Sequence, residues 1–198
     1  VGIGVLFFIR FSRDGLDSCW DKQGVEEILG WDSYHHETLE STVGAQLAER
    51  VVERVAADGL DYALFSTDER TALDTVLSSI FSIEHKDVLW GELDAKDLGD
   101  LPVPPVRRLL ARAAAFGSEG LLQALLLGRR LDSNERPTGR AYVMLAPEES
   151  AGIAKLVREV IAAGGLSKAD VRDLEKRLLP VLDKVVNDDD WLFVGGQG

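Results

Sequence analysis

Apolar and polar positions follow the same design in two separate blocks of the chain. The first runs Tyr62-Ala63-Leu64-Phe65-Ser66-Thr67-Asp68-Glu69 and on to Ile80-Phe81. The second runs Tyr142-Val143-Met144-Leu145-Ala146-Pro147-Glu148-Glu149 and on to Val160-Ile161. In each, a short apolar run rich in aromatic and branched side chains predicts a buried strand, an acidic turn follows, and apolar positions then recur at helical spacing. Aligned residue for residue, Tyr62 meets Tyr142, Phe65 meets Leu145, Leu73 meets Ile153, Val76 meets Leu156 and Ile80 meets Val160. Ser66 followed by Glu69 reads as a capping box, in which hydroxyl and carboxylate each satisfy an amide of the helix start. Pro147 stands at the first helical position, where a missing N–H costs nothing. Asp68, Glu69, Glu148 and Glu149 lie at the positive end of a helix dipole, so capping accounts for these acids without catalysis.

The remaining pattern fills in around these blocks. Val1 to Phe11 is continuously apolar and predicts a strand buried on both faces. Turn residues Ser12 to Gly15 close it, and a short helix is expected from Leu16 or Asp17 to about Leu29. Trp31 to Glu37 reads as a loop into a helix from about Ser41 to Ala57, where Val43, Leu47, Val51 and Val55 form one stripe. Ser82 to Asp100 has no sustained period and reads as mostly loop, with a short strand at Val88 to Trp90. Leu101-Pro102-Val103-Pro104-Pro105 reads as a linker or helix lead-in through which no helix passes, and it is the natural boundary between halves. Helices are expected over Val106 to Phe116 and Gly120 to Leu127, and again from Ser167 to about Val186, with Pro180 kinking or dividing the last. Trp191 to Val194 reads as a final strand and Gly195 to Gly198 as a flexible tail. The fold class is α+β: one compact domain, 1–198, with a small sheet of about four strands, more numerous helices and two pseudo-related halves.

Composition fits such a domain, since the chain has 198 residues and a hydrophobic fraction of 45%. Charge adds a sharper feature. The formal net charge is -12, but residues 1–100 hold 8 Lys+Arg against 21 Asp+Glu, and residues 101–198 hold 14 against 13. An acidic field of that size repels nucleic-acid phosphate and anionic lipid and favours a basic protein partner. The single cysteine, Cys19, cannot form an internal disulfide and fits a reducing cytoplasm. Val1 to Ile9 is shorter than the ~20 residues of a spanning helix and has no basic residues before it, so it reads poorly as a signal peptide. The first residue is Val1 rather than Met, which suggests a processed or incomplete chain.

Candidate chemistry is sparse. Trp31-Asp32-Ser33-Tyr34-His35-His36-Glu37 holds two of the three histidines. Asp32, His35 and His36 are the candidates for acid–base or metal chemistry, with Cys19 as a nucleophile if a histidine lies within reach. No HxH or HxxxH spacing supports a metal site, and no cofactor is implied. The glycines form no phosphate-binding loop: Gly2-Ile3-Gly4 sits inside a strand rather than between a strand and a helix. Arg129, Arg130, Arg136 and Arg140 are candidates for an anionic ligand, because guanidinium forks match carboxylate and phosphate. Trp20, Trp31 and Tyr34 are candidates for a partner-binding surface.

Leu145-Ala146-Pro147-Glu148-Glu149 is similar to the Leu-Thr-Pro-Glu-Glu helix starts of several bacterial families, the YfbM-like family among them. The similarity covers a capped helix start and implies no activity. The residues point to a soluble, cytoplasmic, non-enzymatic interaction or regulatory factor of the immunity type, with an acidic binding surface. The alternatives are a small hydrolase or metal-dependent enzyme built on Asp32, His35 and His36, and an anionic-ligand binder built on the arginine-rich stretch 129–140.

Overall fold

A computed structural model describes residues 4–12, 34–58, 65–73, 94–114, 120–127 and 142–197. In chain order the elements are β1 (Val5–Phe11), α1 (Tyr34–Val43), α2 (Ala45–Asp58), β2 (Lys96–Pro102), α3 (Val103–Ala114), α4 (Gly120–Leu127), β3 (Tyr142–Leu145), α5 (Pro147–Ala163), α6 (Lys168–Asp173), a π-helical segment (Leu174–Leu178), α7 (Leu179–Asp188) and β4 (Trp191–Gln197). A further helical stretch covers 67–73. The class is α+β, as the hydropathy pattern indicates. The chain forms two compact units, one of Val1–Arg10, Lys96–Arg129 and Gly139–Gly198, the other of Phe11–Ala95 and Arg130–Thr138.

The first unit carries the sheet, an antiparallel one in the order β2-β1-β4-β3. Strand alternation sorts its side chains cleanly. Leu6, Phe8, Leu101, Val143, Leu145, Leu192 and Val194 belong to one core with Val106 and Leu109 of α3, Leu122 of α4, Ile153 and Val157 of α5, and Leu182 of α7. On the opposite face Ile9, Phe11, Met144, Trp191 and Phe193 are also buried. β1, Val5–Phe11, therefore buries side chains on both faces, which is why it does not alternate; Val1, Gly2 and Ile3 of the expected strand lie outside the described residues. On that second face Phe7 lies 6.0 Å from Phe193, ring centre to ring centre. Its ring also covers the backbone of Gly195, where a Cβ would come within 2.1 Å. The glycines after Val194 thus continue β4 to Gln197 instead of forming a tail, because the glycine removes the side chain that the Phe7 ring displaces.

Two further expectations change. Residues 96–102 form β2 rather than loop. β2 is an edge strand, and its charged exposed positions hide the strand pattern while discouraging edge-to-edge pairing. Its ladder with β1 runs Val5↔Pro102 to Arg10↔Lys96 and shifts between Phe8 and Ile9, leaving Leu98 as the extra residue. Gly99 sits beside the bulge at φ +98 and donates its N–H to Asp97 Oδ1 at 2.7 Å. Pro104 and Pro105 do not exclude a helix: α3 starts at Val103 and holds both in its first turn, where the absent N–H groups have no intrahelical acceptor.

The helix after Ser167 runs on past Pro180 without dividing. Pro180 has no N–H for the Lys176 carbonyl four residues back, and its ring needs space there. The preceding turn widens, and the Leu179 N–H reaches Leu174 O five residues back. The end of α7 is set by Asp189 at φ 55, a left-handed position that aspartate tolerates, with its N–H on the carbonyls of Val185 and Val186.

In the second unit α1 and α2 replace the single helix expected from Ser41. Gly44, at φ +89, breaks the run after Val43, yet its N–H still caps Glu40 O at 2.9 Å. Leu47, Val51 and Val55 are buried as the stripe predicts, together with Leu39, Ala72 and Leu73. The strand at 62–64, the helix from Leu16 or Asp17 and the strand at Val88 to Trp90 lie outside the described residues.

The Phe7–Gly195 contact makes a strong requirement. Gly195→Val should destabilise the protein by about 1–3 kcal/mol through overpacking, read as a lower urea midpoint. A midpoint within error of the parent would show that Phe7 can move aside.

Candidate functional site

Of the side chains that carry the candidate chemistry, the described residues contain one. His36 does not sit in a loop; it lies on the first turn of α1 and is 2% exposed. Its Nε2 is 4.0 Å from Glu40 Oε2, one turn along the helix. His35 and Tyr34 belong to α1, but their side chains lie outside the described residues, as do Asp32, Cys19, Trp20, Trp31, Arg129, Arg130, Arg136 and Arg140. Among the described residues no group of three histidine, cysteine or acidic side chains could hold a metal ion.

What the structure does bring together in this unit is a set of charges on α2 and at the start of the helical stretch 67–73. The capping box is present in full: Ser66 N–H donates to Glu69 Oε2 at 2.8 Å, and Glu69 N–H to Ser66 Oγ at 3.3 Å. Glu69 is 3% exposed. Two arginines one turn apart on α2 reach it, Arg50 Nε at 3.5 Å and Arg54 Nη1 at 3.6 Å. The Arg54 guanidinium also stands 5.4 Å from the centre of the Phe65 ring. Burial pushes the Glu69 carboxyl up, but its hydrogen bonds with Ser66, together with the positive charges of Arg54 and Arg50, outweigh that and hold the group below the usual carboxylate range.

This commitment alters the outer face of α2. In the sequence Arg50 and Arg54 flank Glu49 and Glu53 and offer to neutralise them. In the structure both arginines turn to Glu69, while Glu49 and Glu53 are exposed one turn apart, and no cation pairs with either among the described residues. Two like charges at that spacing repel and lower the stability of the free helix slightly. On α1, Glu37 and Glu40 are exposed as well. Among the described residues of α1 and α2, four glutamates, Glu37, Glu40, Glu49 and Glu53, are thus exposed.

The matching block in the other unit uses its acid in the same way. Ala146 offers no side-chain acceptor, so only the carboxylate half of the box exists, with Ala146 N–H donating to Glu149 Oε2 at 2.9 Å. Nearby, Arg108 of α3 holds Asp170 with two bonds, Nε to Oδ2 at 2.7 Å and Nη2 to Oδ1 at 2.5 Å, and Ser167 Oγ donates to Oδ2 at 2.7 Å. The Arg108 hydrogen bonds keep the Asp170 carboxyl below its ordinary range against the opposing effect of burial, with Ser167 assisting. Arg112, one turn further along α3, donates to Gly164 O at 2.9 Å and lies over Gly165, where a Cβ would meet its guanidinium carbon at 2.7 Å. This corner fixes the turn between α5 and α6. Arg108, Asp170 and Ser167 are turned to one another, while Arg112 Nε is buried without a hydrogen-bond partner among the described residues.

Glu69 gives a pH-dependent outcome. Its folded pKa is depressed, so its contribution is present above the unfolded carboxylate pKa and is lost as pH falls through the folded value. Glu69→Gln should lower stability by about 1–3 kcal/mol at neutral pH, and urea curves of variant and parent should converge in acid. A constant gap across that range would mean that the charge of Glu69 contributes nothing. Compared with protein-family models, with curated proteins and with solved structures, the chain matches none of them.

Proposed function

We infer that this chain is a non-enzymatic interaction or regulatory factor, of the immunity type, whose acidic unit receives a basic protein partner in the cytoplasm. The observation that carries this reading is the partition of charge. The unit of Phe11–Ala95 and Arg130–Thr138 holds 8 Lys+Arg against 21 Asp+Glu, a net of -13, while the rest of the chain holds 14 against 13, a net of +1. A field confined to one compact unit steers a basic partner to that unit and penalises acidic competitors. The uncovered Glu49 and Glu53 on α2 supply exposed carboxylates to meet it. Nucleic acid and anionic membrane are disfavoured by the same sign of charge. Among the described residues no helix is long and apolar enough to cross a membrane.

The test is a pull-down from source lysate with the full chain, at low and at moderate salt, read by native mass spectrometry. A stoichiometric basic protein should be retained at low salt and weaken as the Debye length falls from about 10 Å at 0.1 M to about 3 Å at 1 M. Glu49→Lys combined with Glu53→Lys should reduce that capture about tenfold or more without unfolding the chain, since both side chains are exposed. Capture that ignores both salt and these substitutions would remove the electrostatic basis of the reading.

A further inference from the structure

We propose that the hollow between α3 and the turn 164–167, in the sheet-bearing unit, binds a small molecule through a carboxylate group, with Arg112 as its counter-ion. The hollow has a volume of about 580 Å³ and is lined by Arg108, Ala111 and Arg112 of α3 and by Gly165, Leu166 and Asp170 of the segment that follows α5. That size falls within the range of small-ligand sites. Ala111 and Leu166 give the hollow apolar surface. Arg112 gives it a positive charge that no acid neutralises among the described residues.

Arg108 and Arg112 stand one turn apart on α3 and so share one side of it, but their charges have different fates. Arg108 gives Nε and Nη2 to the two oxygens of Asp170, at 2.7 and 2.5 Å, and Ser167 Oγ adds a third bond to that acid. Asp170 is buried, and its charge is taken up there. Arg112 Nη2 donates instead to a neutral acceptor, Gly164 O, at 2.9 Å, and its Nε is buried with no acceptor at all. Nη1 makes no bond within the protein among the described residues, yet it is not sealed from solvent. A half-buried guanidinium held in this way has lost part of its hydration without gaining a counter-charge. An anion in the hollow would supply that charge and an acceptor for Nη1.

The turn after α5 seats this guanidinium. Gly164 and Gly165 both have left-handed backbones, at φ +75 and +94. A Cβ at Gly165 would stand 2.7 Å from the Arg112 guanidinium carbon, so the bare backbone there is what lets the group lie against the turn. Packed on Gly165 and tethered to Gly164 O, the guanidinium has little freedom left to lose when a ligand arrives. The balance of charge then sets the ligand class. One cation is uncompensated, and its planar donors match a carboxylate. The second negative charge of a phosphate dianion would have no partner of its own and would face the Asp170 carboxylate on the same lining. A monoanionic acid with a short carbon body fits both the single charge and the apolar surface of Ala111 and Leu166.

The experiment is an amide-resolved NMR titration of the full chain, at constant ionic strength and slightly alkaline pH, with isobutyrate, its uncharged isostere isobutyramide, and inorganic phosphate. Isobutyrate should give saturable shifts at the amides of 108–112 and 164–170, and both other probes should bind more weakly. Arg112→Met removes the counter-ion. Ala111→Glu leaves Arg112 and its bond to Gly164 in place but puts a fixed carboxylate into the lining at an exposed position, so it tests the site even if R112M loosens the turn. Each should weaken isobutyrate about tenfold or more, the scale of one charge-assisted hydrogen bond. Lys155→Ala on the exposed face of α5 should change nothing. Circular dichroism checks that each variant is folded. Isobutyrate shifts that never saturate, that persist unchanged in A111E, or that isobutyramide or phosphate reproduces with equal affinity would overturn the proposal. Its failure would leave the acidic-unit reading untouched, since the hollow lies wholly in the other unit.

Discussion

Arg10 sets the constraint around which the sheet-bearing unit is arranged. It lies on β1, a central strand, with its side chain 9% exposed, and a guanidinium taken so far out of water is costly unless it is paired. Its Nη1 meets Asp188 Oδ2 at 2.9 Å and Asp190 Oδ2 at 3.0 Å. Both acids flank Asp189, whose left-handed backbone ends α7 and turns the chain into β4. The cap, the ion pair and the start of the last strand are therefore one local solution: the helix must stop there for Asp190 to enter the interior. The Lys184 hydrogen bond lowers the Asp188 carboxyl below its usual range, with Arg10 adding to the effect. Lys184 is exposed, so the buried charge on β1 reaches the surface through Asp188, the acid that both cations share.

The same unit shows how one residue type can shape a surface. Proline normally stops a helix, and here it widens one. Because the turn before Pro180 passes through a π segment, Leu174 and Leu178 remain buried while Glu175, Lys176 and Arg177 are all exposed. Three consecutive charged side chains are thereby presented together beside an edge strand that is itself bulged and charged. The glycine at 99 and the proline at 180 are separated by a long stretch of chain, yet each relaxes its own element at the point where the two border one hollow.

Much of the fold was legible because the signals were local. The capping box at Ser66, Pro147 at the start of α5, the stripe of Leu47, Val51 and Val55 and the aromatic strand at Trp191 are each read within a few residues. β2 was not legible, because an exposed, bulged edge strand of alternating acids and glycine looks like a loop by composition. The first turn of α3 was missed by applying to Pro104 and Pro105 a rule that holds only in a helix interior. For sites the limit is sharper. Glu69 was readable as a cap, but not as the acid that takes up Arg50 and Arg54, since that depends on which face α2 turns inward. Arg177 and Asp100 are 77 residues apart in sequence, and no pattern joins them.

The charge partition has a thermodynamic side as well as a steering one. A unit of net charge -13 repels itself, and compactness works against that repulsion. Two of its arginines are held at Glu69, where they stabilise the interior, so they do little for the exposed acids of α2. A basic partner would add the missing counter-charge from outside, and anything that binds only the folded state stabilises it by mass action. Binding and stability of this unit are then linked: the acids that weaken it in isolation are the groups through which a partner would strengthen it. Neutralising Glu49 and Glu53 would therefore ease the repulsion in the free protein and, under the proposed reading, remove part of the recognition at once.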